Sequence, residues 1–190
     1  MMQPAKIYFF ILSTLFAPMA ILAGVPKWEI LKEKSSITFA ATQNNSTVTG
    51  EFKTFSGDIN FDTAQLSVSN VSLVIEIDSV TTSYPEIAKT LKSPPWFDSK
   101  TYPKGTFKAT SFKKVGDNTY EANGILRLRD KSSMITVPFE LTSLSATTAV
   151  AKGEVAIQRS TFGVGAGEWA TTDNVKDEVK ISFTLSATKK

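Results

Sequence analysis

The 190-residue chain contains neither cysteine nor histidine. Without cysteine there is no disulfide framework and no thiol nucleophile. Without histidine the commonest general base and the commonest metal ligand are gone. Nucleophilic catalysis would then need a Ser-Lys pair or paired carboxylates. Asp58, Glu76, Asp78 and Asp98 are of the right type, but they fall in no recognisable spacing and read as turn caps or solvated groups. The pairs Asp173/Asp177 and Asp177/Glu178 lack the Asp-x-Asp-x-Asp-Gly run of a calcium loop. We therefore expect no catalytic residue, no metal and no required cofactor. Arginine is scarce as well, three residues against eighteen lysines, with a formal net charge of +3. The lysines are scattered over turns and strand ends. That pattern is solvated surface and edge protection, not a nucleic-acid footprint.

Long apolar runs are missing except at the start. There Lys6 precedes an apolar stretch over residues 7–22, broken by Ser13, Thr14 and Pro18 and followed by Ala23-Gly24. A basic residue, a short apolar segment and a small-residue end are the pattern of a secretory signal peptide. Pro18 and the short length argue against a membrane anchor, which needs ~20 apolar residues. The expectation is cleavage after Ala23, leaving residues 24–190 as a single exported domain.

Helical periodicity is nearly absent from that domain. Short runs of alternating apolar and polar residues recur instead, separated by turn signals. Ile37 and Phe39 share one face, as do Val48, Gly50 and Phe52, then Ile59 and Phe61. The odd spacing of Phe52 and Phe55 points to a bulge. Val71, Leu73, Ile75 and Ile77 give the strongest alternation, and residues 119–128 read as the return strand of a hairpin turning at Gly116-Asp117-Asn118. A turn at 129–133 leads to Ile135, Val137, Phe139 and Leu141. The face Ala149, Ala151, Gly153, Val155 and Ile157 is small at its start, which leaves internal room, and Val179, Ile181, Phe183 and Leu185 close the set. About eight sequential strands predict an all-β, up-and-down antiparallel barrel able to hold one small ligand. One short helix is predicted over 84–91, with Ser83 as N-cap, Pro85 in the first turn and Glu86 completing a capping box.

Residues 91–107 depart from this plan. Pro94, Pro95 and Pro103 exclude regular structure, yet Trp96, Phe97, Tyr102 and Phe107 lie among them. Rings in such density must cover a core, a pocket mouth or a ligand. A second loop, over 160–175, is rich in glycine and carries Phe162 and Trp169; it leads into no predicted helix, so a phosphate-binding role is weak. The candidate ligand site is built from these two loops and the inward strand faces. Phe39, Phe52, Ile75 and Phe107 are expected inside, with Leu91 of the helix, and Trp96, Phe97, Tyr102, Phe162 and Trp169 at or near the mouth. Arg159 has two readings: a structural staple of the glycine-rich loop, or a contact to an anionic or carbonyl head group.

Several ordered segments give the chain a family resemblance. They are Ser36-Ile37-Thr38-Phe39, Val48-Thr49-Gly50-Glu51-Phe52, Phe55-Ser56-Gly57, Ile59-Asn60-Phe61-Asp62 and Ile77-Asp78-Ser79-Val80. Leu91-Lys92-Ser93, Trp96-Phe97-Asp98 with Tyr102-Pro103 and Phe107, Gly124-Ile125-Leu126 with Val137-Pro138, and Arg159-Ser160-Thr161-Phe162-Gly163-Val164 continue the order. In this order they resemble the YceI-like family of exported bacterial proteins, from about residue 28 to 187. The resemblance implies a lipocalin-like, eight-stranded barrel with an elongated apolar cavity, in the periplasm. It implies a polyisoprenoid or other long amphipathic lipid as ligand, isoprenoid quinones included, held without chemistry by a monomer or homodimer. Some members accompany membrane cytochrome b561 proteins, and the loop from Phe162 to Trp169 resembles the version found in that company. The alternative role is thus an accessory protein of such an electron-transfer or stress-response pathway. One turn departs from the family: Arg129-Asp130-Lys131-Ser132-Ser133 stands where many members carry Gly-Val-Thr-Lys-Pro.

Overall fold

The computed structural model describes residues 24–190; the expected signal peptide, residues 1–23, lies outside the described residues. The described chain is eleven strands, one α-helix and short 3-10 turns. Six of the strands are halves of three interrupted ones. β1 (Lys27–Ile30) and β2 (Ser36–Gln43) both pair with β11 (Val175–Lys189), separated by a 3-10 turn at Lys32–Lys34. β3 (Ser46–Phe52) pairs with β2, and β4 (Phe55–Asn60) with β1. β5 (Asn70–Glu76) pairs with β4, and β6 (Val80–Thr82) with β3. Counted this way, with β7 (Lys104–Lys114), β8 (Thr119–Leu128), β9 (Lys131–Leu144) and β10 (Thr148–Gln158), the protein is a closed eight-stranded antiparallel barrel.

The interruptions shape the barrel. The Phe52/Phe55 irregularity marks the break at Lys53-Thr54, where the strand passes from β2 to β1 as neighbour. The β5 alternation ends in a 3-10 turn at Ile77–Ser79, so β6 leaves the line of β5 and pairs with β3. β7 starts only at Lys104, opposite Glu76. Beyond that level β6 has no partner on its other side, and α1 (Pro85–Lys92) with loop 93–103 is inserted there. Across the barrel, β10 pairs with β9 only as far as Gly153 and Phe139, beside Pro138, which has no amide hydrogen to continue the ladder.

The helix starts one residue later than predicted. Its N-cap is Tyr84, without a side-chain cap, and Pro85 is the first helical residue. Ser83 forms no capping box. The Thr82 hydroxyl instead donates to the Tyr84 carbonyl (2.7 Å), which turns the chain into the helix. The turn expected over 129–133 is also tighter: only Arg129 and Asp130 separate Leu128 from its cross-strand partner Lys131. Asn44 and Asn45, both at positive φ (48° and 61°), make the β2–β3 hairpin the predicted tight turn.

Candidate functional site

Alternation along the eight strands turns one face of each into the barrel, and those faces enclose an apolar cavity of about 260 Å³. It runs from Trp28, Phe61 and Leu141 at one end to Leu91, Trp96 and Val164 at the other. Arg159 is the one charged residue among the described lining residues. Glycines set the width. A Cβ on Gly50, Gly124 or Gly153 would collide with the rings of Phe39, Phe107 and Phe183. Each ring therefore lies flat over a neighbouring strand, and the lumen stays open.

The end near Trp28 is plugged by side chains. Phe61 makes edge-on contacts with Phe112, Tyr120 and Phe139, with centroids 5.3, 5.7 and 5.8 Å away. Tyr120 stacks on Phe139 at 5.5 Å. The buried Trp28 indole donates from Nε1 to the Phe61 carbonyl (2.9 Å). This plug is packed and its indole is satisfied.

The other end is covered by the two loops, and arginines hold them. Arg159 is 3% exposed. It donates from Nε to the Lys176 carbonyl (3.2 Å), and from Nη1 to those of Val164 (2.9 Å) and Gly165 (3.1 Å). Nη2 donates to Trp169 (2.8 Å), Thr171 (2.9 Å) and Val175 (3.0 Å). All five guanidinium N–H groups are thereby engaged by backbone oxygens. Burial pulls the Arg159 pKa down, and the Asp177 carboxylate opposes that pull. Asp177 itself accepts from Ser160 N (2.9 Å) and Oγ (2.7 Å), fastening the start of the same loop. Gly165, at φ 81°, has no room for a Cβ, which would fall on the Arg159 guanidinium.

Arg129 joins the loops from the opposite wall. Its Nη1 donates to the carbonyls of Pro94 (3.1 Å), Trp96 and Gly163 (3.0 Å). Its guanidinium lies 5.5 Å from the centre of the Tyr102 ring. Its backbone sits at φ 55°, a left-handed conformation that favours glycine. The loops also bond each other, since Gly165 N and Ala166 N both donate to the Pro95 carbonyl (2.9 and 2.6 Å). Trp96 is held between Trp169, with ring centroids 5.5 Å apart, and the Arg159 guanidinium, 5.7 Å from its ring. Trp96 is 8% exposed, and its Nε1 is buried without a hydrogen-bond partner.

Of the residues expected at the site, Phe39, Phe52, Ile75, Leu91, Trp96, Phe97, Phe107 and Arg159 border the cavity. Tyr102, Phe162 and Trp169 do not. Tyr102 lies under Arg129, Phe162 is packed in the core at 1% exposure, and Trp169 backs Trp96 from outside. Arg159 has the geometry of the staple. Sequence reasoning left Leu73, Val155, Ile181 and Phe183 out of the site, although their period-two alternation put them on inward faces. It also gave no role to Arg129, whose signal was its replacement of a family glycine.

Comparison with known proteins agrees with this geometry. The YceI-like domain matches residues 28–187. A UPF0312 protein of Shewanella oneidensis is 32% identical over 117 residues, 61% of this chain and 61% of that protein. Protein YceI of Escherichia coli is 34% identical over 92 residues, 48% of each. The chain thus spans less than two thirds of the length of these sequence relatives. Among solved structures, Burkholderia cenocepacia BcnA matches with a TM-score of 0.80 at 34% identity, over 84% of this chain and 100% of that one. A polyisoprenoid binding domain from Saccharophagus degradans matches with a TM-score of 0.71 at 18% identity, over 86% and 98%, and shares the fold.

Proposed function

Because the chain belongs to the YceI-like family, we propose that it is a non-catalytic carrier for a long-chain isoprenoid or similar amphipathic lipid. The observation that carries this reading is the elongated, almost wholly apolar lumen, whose one charged residue is already consumed by backbone carbonyls. Along β8 the inward residues run from Tyr120 to Leu128. At ~3.4 Å per residue and a tilt of ~40° that is about 20 Å of barrel axis. A flexible apolar tail threads such a space, and each buried CH₂ contributes ~0.8 kcal/mol before ordering costs. The fold shared with a polyisoprenoid binding domain supports the same class of ligand.

The finer reading is that residues 1–23 direct the chain to the periplasm. There an isoprenoid quinone is one candidate cargo and a membrane cytochrome b561-type protein a candidate partner. Native mass spectrometry of protein purified from a bacterial periplasm tests both levels. The expected spectrum shows a mature chain beginning at Gly24 and carrying an added lipid mass that organic extraction identifies as isoprenoid. A chain that is empty under native conditions and yields no isoprenoid on extraction overturns the carrier reading. An intact Met1 in exported protein overturns cleavage.

A further inference from the structure

The two buried tryptophans that border the cavity differ in one respect. Trp28 Nε1 has its carbonyl at 2.9 Å, and Trp96 Nε1 has no partner. A buried N–H left unpaired is costly, and native proteins retain few of them without a use. Trp96 is not free to turn toward solvent. Trp169 and Arg159 hold it, and Arg129 holds its backbone carbonyl. The orphan donor is therefore fixed in position against an otherwise apolar lumen. Arg129 Nε is also buried without a partner, but Arg129 does not border the cavity.

We propose that the Trp96 indole N–H is the head-group donor of this barrel, and that the ligand ends beneath the loops in an uncharged acceptor oxygen, a carbonyl, ether or hydroxyl. The inference rests on the lipid-carrier reading and adds polarity, orientation and a residue to it. The tail points toward the Trp28–Phe61 plug, where no donor is unpaired. An anionic end is disfavoured, because Arg159 already gives every N–H to the backbone and its burial leaves no water to solvate an added charge. The charge of Arg159 organises the loops, and the neutral indole meets the ligand.

The test uses residues 24–190 and three probes: geranylgeranylacetone, which ends in a ketone; squalene, an isoprenoid hydrocarbon; and geranylgeranyl diphosphate. Trp96→Phe keeps an aromatic ring and removes the donor. Its expected effect is a loss of roughly five-fold in affinity for the ketone, unchanged affinity for squalene, and unfolding at the same or a higher temperature without ligand. In the unmodified protein, labelled with ¹⁵N, the indole resonance that Trp96→Phe deletes should move on adding the ketone and stay in place with squalene. Equal losses for ketone and squalene would make Trp96 a packing residue and overturn the proposal, as would an indole signal that moves alike with both. Diphosphate bound more tightly than ketone would overturn the neutral head group. Squalene binding to both proteins alongside unchanged ketone affinity would sink the Trp96 role while leaving the lipid carrier standing. Failure of all three probes to bind the unmodified protein would remove the carrier reading, and this inference with it.

Discussion

The barrel is closed at its two ends by different kinds of interaction. At one end, Phe61, Phe112, Tyr120, Phe139 and Trp28 interlock ring against ring, and the Trp28 indole is bonded. At the other, two irregular loops are held by arginine-to-carbonyl bonds, with an unpaired indole beneath them and a strained residue at the rim. Packing of rings is additive, non-directional and slow to reverse. Hydrogen bonds between a few side chains and loop backbone can be exchanged one set at a time, without unfolding the strands. The plug therefore belongs to stability and the covered end to ligand traffic, a division that substitutions can separate.

The largest effect is expected at the plug. Phe61→Ala removes a ring buried among three others, and should cost about 4 kcal/mol in denaturant unfolding. A loss below about 1 kcal/mol would show that the plug is not the stability centre. Arg159→Ala comes next. It strips six loop carbonyls of their charged donor, and should cost about 3 kcal/mol while freeing the glycine-rich loop. Equal loss with and without bound lipid is the result expected of a staple. Normal stability with weaker binding of a polar-headed lipid alone would return Arg159 to the head group. Gly165→Ala perturbs the same staple through a clash and left-handed strain, and should cost about 2 kcal/mol.

The same contrast explains how much could be read from the sequence. The plug and walls are made of strands, and their side chains alternate with period two. Leu73/Ile75, Tyr120/Ala122 and Ile181/Phe183 thus announced both the fold and the inward face. The interrupted strand at Phe52/Phe55 was visible as a break in that period. The loop end follows no period. Aromatic content marked Trp96 and Phe97 correctly, but it could not distinguish them from Phe162, which the core absorbs, or from Trp169, which supports the Trp96 ring from behind. Which ring faces the lumen depends on backbone turns at Asp98 and Gly163, both at positive φ, and on where two arginines find carbonyls. None of that is encoded in residue type along the chain. Ser83 failed as a cap for a similar reason: Thr82 already bonded the Tyr84 carbonyl and set the helix entry.

The smallest effect, and the most discriminating, is expected at Arg129. Two quantities are combined there, backbone strain at φ 55° and three hydrogen bonds to the covering loops. Arg129→Ala loses the bonds and keeps the strain, whereas Arg129→Gly loses both. The alanine variant should therefore be the less stable of the two by about 1 kcal/mol. Relative to the unmodified protein, the glycine variant should lie within about 1 kcal/mol, because relief of strain offsets the lost bonds. If Arg129 ties the loops down, both variants should release a bound isoprenoid faster, and to the same degree, since both lack the same three bonds. Stopped-flow transfer of lipid to acceptor vesicles measures that rate, and denaturant unfolding measures the strain. Release rates that follow stability instead, faster for alanine than for glycine, would mean that the lipid leaves by general loosening of the barrel. The contrast between a packed end and an exchangeable end would then not hold.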